Sequence, residues 1–134
     1  MFKAVRTQLL AATVITTSLL SSAALAEHEA QVAAGEKIFS FRCAACHTMS
    51  ADDTSTAAFG PHLEGIVGRQ AGAVEGYEYE FDLMREQAFV WDAEQLEAWL
   101  EKPQEVVPGM CLPYFGLRRE GDRAALMTYM QEPQ

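Results

Sequence analysis

Five consecutive residues, Cys43-Ala44-Ala45-Cys46-His47, restrict this chain more than any other stretch of it. They set two thiols within one helical turn and an imidazole beside the second. Three kinds of site use such a pattern. One is a redox dithiol, one is half of a zinc site, and one is a pair of thioether bonds to a haem whose iron takes the adjoining histidine. Each demands different surroundings, so the rest of the chain decides among them.

A dithiol redox motif belongs in a βαβ context, and no segment here alternates polar and apolar residues with period two over a useful length. The periodicity is helical instead. Val32, Gly35, Phe39, Cys43 and Cys46 fall at three- and four-residue steps, one face of a helix expected to start near Glu29 and to deliver Cys43 at its end. Asp92 to Glu101 predicts a second helix, capped by Asp92 with Gln95 three residues on. Leu96, Trp99 and Leu100 form its apolar face, and Pro103 stops it. Asp122 to Met130 predicts the last helix, capped by Asp122, with Leu126, Tyr129 and Met130 inward. Tyr79 to Gln87 can hold a short helix. Thr48 to Ala58, the glycine-rich run from Gly60 to about Tyr77, and Pro108 to Gly116 read as loops. The expected class is all-α, several short helices with much loop between them.

The first 26 residues are not expected to belong to that fold. Met1 to Gln8 carries Lys3 and Arg6 and no acid, Leu9 to Leu20 is short and mostly apolar, and Ala24-Leu25-Ala26 offers small residues to a signal peptidase. This is the layout of a secretory signal peptide cleaved after Ala26. The apolar run is well short of the ~20 residues that span a bilayer. The domain is then 27–134, and its place is the periplasm. Of 134 residues, 108 remain once 26 are removed, a chain small enough to need a staple. The 10 basic residues, less Lys3 and Arg6, leave 8 against 19 acidic ones, so the balance moves from −9 to −11. That charge argues against nucleic acid and anionic lipid as partners and suits a partner with a basic docking surface.

In an exported all-α chain the five-residue motif reads as c-type haem attachment. Cys43 and Cys46 add across the two vinyl groups of one haem, and His47 lies under the iron as proximal ligand. A zinc site needs two further ligands at compatible spacing, and His28 and His62 are isolated in the sequence. The third cysteine, Cys111, is left over, and an unpaired thiol in an oxidising compartment needs its own account.

With these residues in hand the chain resembles class I cytochrome c, of the mitochondrial cytochrome c and bacterial cytochrome c2 type. The likeness covers roughly Gly35 to Met130. Gly35-Glu36-Lys37-Ile38-Phe39 is similar to the family's N-terminal helix, and Gly60-Pro61-His62-Leu63-Glu64-Gly65-Ile66-Val67-Gly68-Arg69 to the segment after the attachment motif. The resemblance implies one covalent haem c and redox protein partners. It implies that the Pro61 carbonyl accepts the proximal imidazole proton, and that Arg69, Tyr79 and Trp91 serve the haem propionates. Trp99 falls where the family has an aromatic residue over the haem. Leu126 and Tyr129 match the C-terminal helix that crosses the first near Gly35.

The sequence departs from the family at the sixth iron ligand. The family's loop reads Pro-Gly, two residues, the ligand Met, then a short run to Gly. Here it reads Pro108-Gly109-Met110-Cys111-Leu112-Pro113-Tyr114-Phe115-Gly116, so Leu112, which cannot bind iron, holds the ligand position. Three outcomes follow. Cys111, one residue away, binds as thiolate, or Met110 binds after a two-residue loop shift, or the distal position stays open. A free Cys111 could also link two copies. Each outcome carries a function. A thioether raises the reduction potential of an electron carrier, a thiolate lowers it, and an open site binds a small ligand or gas. A sulfur-oxidation subunit is a further analogy, resting on Cys111 alone. The sequence holds no Ser/His/Asp set and no phosphate loop, so the expectation is a single-electron carrier and not an enzyme.

Overall fold

The computed structural model describes residues 2–56, 59–79, 86, 89–110 and 112–132, with side chains from residue 22. Four helices are described: α1 (Phe2–Arg42), α2 (Ala93–Glu101), α3 (Pro103–Val106) and α4 (Glu120–Gln131). The chain divides into two compact units, Met1–Ala30 and Gln31–Gln134. No helix among the described residues is long and apolar enough to cross a membrane.

The first helix starts earlier than its periodicity suggests, at Phe2 and not near Glu29. No proline or glycine interrupts the sequence before Gly35, and alanine and leucine favour helix throughout. Gly35 is the exception, and packing explains it. A Cβ there would meet the Ala125 carbonyl oxygen and lie 2.6 Å from Tyr129 Cβ. Only a bare backbone lets α1 and α4 approach so closely. One turn on, Phe39 sets its ring 5.7 Å from that of Tyr129.

Helix α2 begins as expected. Asp92 is extended, and its carboxylate accepts a hydrogen bond from Gln95 N at 2.7 Å. Leu96 and Leu100 are buried along its inner face. Pro103 ends this helix but does not lead straight into loop. It opens the one-turn helix α3, because proline's fixed φ and missing N–H suit a first helical position. The last helix corrects another expectation. It runs from Glu120, and its cap is Arg119, not Asp122. Arg119 holds the extended backbone, while Asp122 lies inside the first turn, where its negative charge suits the helix N-terminus.

The core of the second unit gathers Phe39, Ile66, Trp91, Leu96, Leu100, Leu126 and Met130. Leu126 and Val107 are completely buried. Arg123 joins α4 to α2. Its Nε donates to Glu97 Oε1 at 2.5 Å and its Nη1 to the Leu117 carbonyl at 2.7 Å, so the one buried guanidinium described is bonded through two of its nitrogens. Residues 68–71 meet 89–91 in a short antiparallel contact with a single bridge, Gln70 to Val90. The expected helix at Tyr79–Gln87 lies mostly outside the described residues.

Candidate haem-attachment site

Helix α1 ends at Arg42, and the attachment residues form the turn that follows. Cys43 N donates to the Phe39 carbonyl at 2.8 Å, so Cys43 still belongs to the helical ladder. Cys46 N and His47 N both donate back to the Cys43 carbonyl, at 3.0 and 2.9 Å. This turn carries both thiols and the imidazole on one short piece of backbone. Cys43 and Cys46 are free thiols. Burial pushes the Cys43 thiol up to about 11, with the nearby Arg42 charge opposing the shift.

The imidazole is held from behind. His47 Nδ1 lies 2.7 Å from the Pro61 carbonyl oxygen. A carbonyl only accepts, so Nδ1 carries the proton and the lone pair sits on Nε2, the atom that can bind iron. Burial lowers the ring's pKa, the Pro61 bond opposes this, and the Arg69 charge lowers it further. The neutral ring needed for ligation is therefore favoured. Gly60 makes room for this contact: a Cβ there would sit 2.6 Å from His47 Cε1 and 2.8 Å from Nδ1.

The predicted propionate residues come together in pairs. Trp91 N donates to the Arg69 carbonyl at 2.8 Å through the short antiparallel contact. The Arg69 guanidinium donates to the carbonyls of Glu64 and His62 at 3.1 and 2.9 Å, and Tyr79 acts on its charge. Among the described residues these bonds use two of the guanidinium's five N–H donors. The Tyr79 hydroxyl accepts from Val74 N at 3.3 Å.

The aromatic wall is larger than the sequence indicates. Trp91 packs edge-on against Phe89 and Trp99, with centroids 4.8 and 5.9 Å apart. Trp99 stacks on Tyr114 at 5.2 Å with a 16° tilt. Tyr114 was not singled out by sequence reasoning, because it sits in a loop and meets Trp99 only through tertiary packing. Its hydroxyl donates to the Leu100 carbonyl at 2.7 Å, and burial raises its pKa. Gln104 was also missed, and its side chain donates to the Met110 carbonyl.

These residues fit a haem. Two thiols, a neutral imidazole with a free Nε2 lone pair, and an aromatic wall are what a covalent porphyrin requires. Two buried atoms, Trp99 Nε1 and His62 Nδ1, have no hydrogen-bond partner among the described residues, in keeping with a missing polar group nearby. No three His, Cys, Asp or Glu side chains converge among the described residues in a way that could hold a metal by themselves. At the sixth position, Leu112 is 39% exposed, Met110 has its carbonyl engaged by Gln104, and Cys111 lies outside the described residues.

The sequence model of the family described as cytochrome c matches residues 32–133. The chain belongs to the cytochrome c family. Cytochrome c of Stellaria longipes is 35% identical over 98 residues, which is 73% of this chain and 88% of that protein. Cytochrome c of Arabidopsis thaliana is 36% identical over 98 residues, 73% of this chain and 85% of its own length. Cytochrome c type-1 of Ascaris suum is 36% identical over 104 residues, 78% of this chain and 89% of that one. As a member of the cytochrome c family the protein is an all-α electron carrier with one covalently attached haem c and redox protein partners, and not an enzyme.

Proposed function

We propose that this cytochrome is exported, loses residues 1–26, and carries single electrons between redox proteins in the periplasm. Cys43 and Cys46 hold the haem as thioethers, His47 binds the iron through Nε2, and Arg69, Tyr79 and Trp91 serve the propionates. The haem supplies a one-electron Fe(III)/Fe(II) couple. The protein's part is to orient the imidazole, exclude water with Trp91, Trp99 and Tyr114, and present a charged surface. The observation that carries this reading is the bond from His47 Nδ1 to the Pro61 carbonyl, at 2.7 Å. It leaves one ring nitrogen for the iron beside two free thiols. A balance of −11 without the leader supports partners with basic docking surfaces.

Expression of the full chain alongside a c-type maturation system tests this directly. The expected product is periplasmic, starts at Glu27, exceeds its polypeptide mass by one haem, and titrates as a single one-electron centre. A cytoplasmic product with residues 1–26 intact would sink the export and periplasmic part. A mass without haem would sink the rest.

A second reading, a small ligand at the iron, rests on Leu112. A hydrocarbon side chain stands at the ligand register and is 39% exposed. Ferrous protein that binds carbon monoxide supports it, and a spectrum unmoved by carbon monoxide points to Cys111 or Met110 on the iron. The same spectra of Cys111→Ala identify a thiolate, and non-reducing electrophoresis shows whether Cys111 links two copies.

A further inference from the structure

The loop 108–116 poses a mechanical problem. At the register where the family resemblance places an iron-binding side chain, this chain has Leu112, which forms no bond to iron. Something else has to hold the loop against the body of the protein.

The structure shows side-chain ties on both sides of Leu112. The last carbonyls of a helix have no intrahelical partner, and α2 gives one of them to the loop. The Leu100 carbonyl accepts both the Tyr114 hydroxyl at 2.7 Å and Leu117 N at 2.8 Å. The Tyr114 ring is clamped as well, stacked on Trp99. On the other side, Gln104 of α3 reaches across and donates to the Met110 carbonyl. Met110 N adds a longer bond to the Val107 carbonyl at 3.4 Å. The loop's exit is pinned in turn, because Arg123 donates to the Leu117 carbonyl at 2.7 Å. Both side-chain ties use donors on residues outside the ligand register.

We propose that Gln104 and Tyr114 are positioning residues that fasten this loop from the protein side, in place of an iron–ligand bond at position 112, and thereby set how readily a small neutral ligand reaches the iron. This rests on the haem reading above and deepens its second part. With the loop fastened this way, a ligand enters by loosening hydrogen bonds and displaces no protein atom from the iron. The Gln104 side chain is exposed and its tie is the weaker one. The Tyr114 bond is half-buried and backed by the Trp99 stack.

The test uses ferric holoprotein and imidazole as the probe, with association followed by stopped-flow absorbance. Gln104→Met keeps the side-chain length and loses the donor, and about two- to fivefold faster association is expected. Tyr114→Phe keeps the stack and loses the hydroxyl, and about three- to tenfold is expected. Gln104→Arg, which retains N–H donors, should stay within about twofold of the parent. Parent-like rates in both Gln104→Met and Tyr114→Phe overturn the proposal. So does a large acceleration confined to Cys111→Ala, which would mean that an iron-bound thiolate fastens the loop. Haem-loaded protein with unaltered rates sinks this proposal alone, whereas protein that takes up no covalent haem sinks the reading beneath it too.

Discussion

Gly60 has no side chain, and the imidazole of His47 occupies the space one would fill. A methyl group there meets His47 Cε1 at 2.6 Å and the Cys46 carbonyl oxygen at 2.6 Å, distances that real carbon atoms do not share. Gly60→Ala therefore has to move the ring or the 60–61 backbone, and either change weakens the bond to the Pro61 carbonyl. That bond makes the imidazole a stronger electron donor, so its loss destabilises ferric iron. The midpoint potential of Gly60→Ala is expected above that of the parent by redox titration, and an unchanged potential would show that the ring tolerates the methyl. Tyr114 gives a second prediction at this scale. Its pKa is raised by burial. The folded protein thus holds the phenol proton more tightly than the unfolded chain does. The contribution is complete below the ordinary phenol value of about 10 and is lost as pH rises through the higher folded value. Thermal melts from pH 8 to 12 should show the parent losing stability above about pH 10 more steeply than Tyr114→Phe.

Helix ends divide into those the sequence specifies and those packing decides. Asp92 is legible because an N-cap is a local device, one carboxylate meeting an N–H three residues on. Asp92→Ala is expected to cost about 1 kcal/mol, measured by denaturant unfolding of holoprotein. Arg119 as the cap of α4 was not legible. It makes no side-chain capping bond, so no residue type announces it, whereas Asp122 carries the usual signature and sits one turn too late. The Tyr114–Trp99 stack and the Gln104–Met110 tie escaped for a related reason: both cross between elements, and no local pattern encodes them. The Cys43–His47 turn was legible because five consecutive residues spell out an attachment motif, and the crossing at Gly35 was legible through the resemblance to class I cytochrome c. Leu126 of α4 is completely buried, in one core with Phe39 of α1 and Leu96 and Leu100 of α2. Leu126→Ala should cost about 2–5 kcal/mol by the same unfolding measurement, several times the effect at the cap. A loss comparable to that of Asp92→Ala would mean that the α1–α4 contact closes over the gap.

For the whole molecule the question is whether total charge or local charge directs encounter. Residues 27–134 carry −11, from 8 basic and 19 acidic residues, and at 0.15 M ionic strength charges beyond about 8 Å are largely screened. The total therefore acts at long range only in dilute salt, while the residues nearest the haem act in all conditions. Those nearest the attachment turn include Arg42, which adjoins Cys43 and is exposed, and the loop's exit carries exposed Arg118 and Arg119. The two scales thus oppose each other, and small inorganic oxidants and reductants of opposite charge separate them. If the total dominates, electron transfer with a cationic complex such as hexaammineruthenium slows by about tenfold between 10 and 500 mM salt, and transfer with hexacyanoferrate speeds up. If Arg42, Arg118 and Arg119 dominate, both slopes reverse. We expect the first pattern, because 8 basic residues cannot offset 19 acidic ones at distances where encounter is decided. The reversed pattern would replace a basic partner surface with an acidic one, and rates flat in salt for both probes would reduce the acidic balance to a matter of solubility.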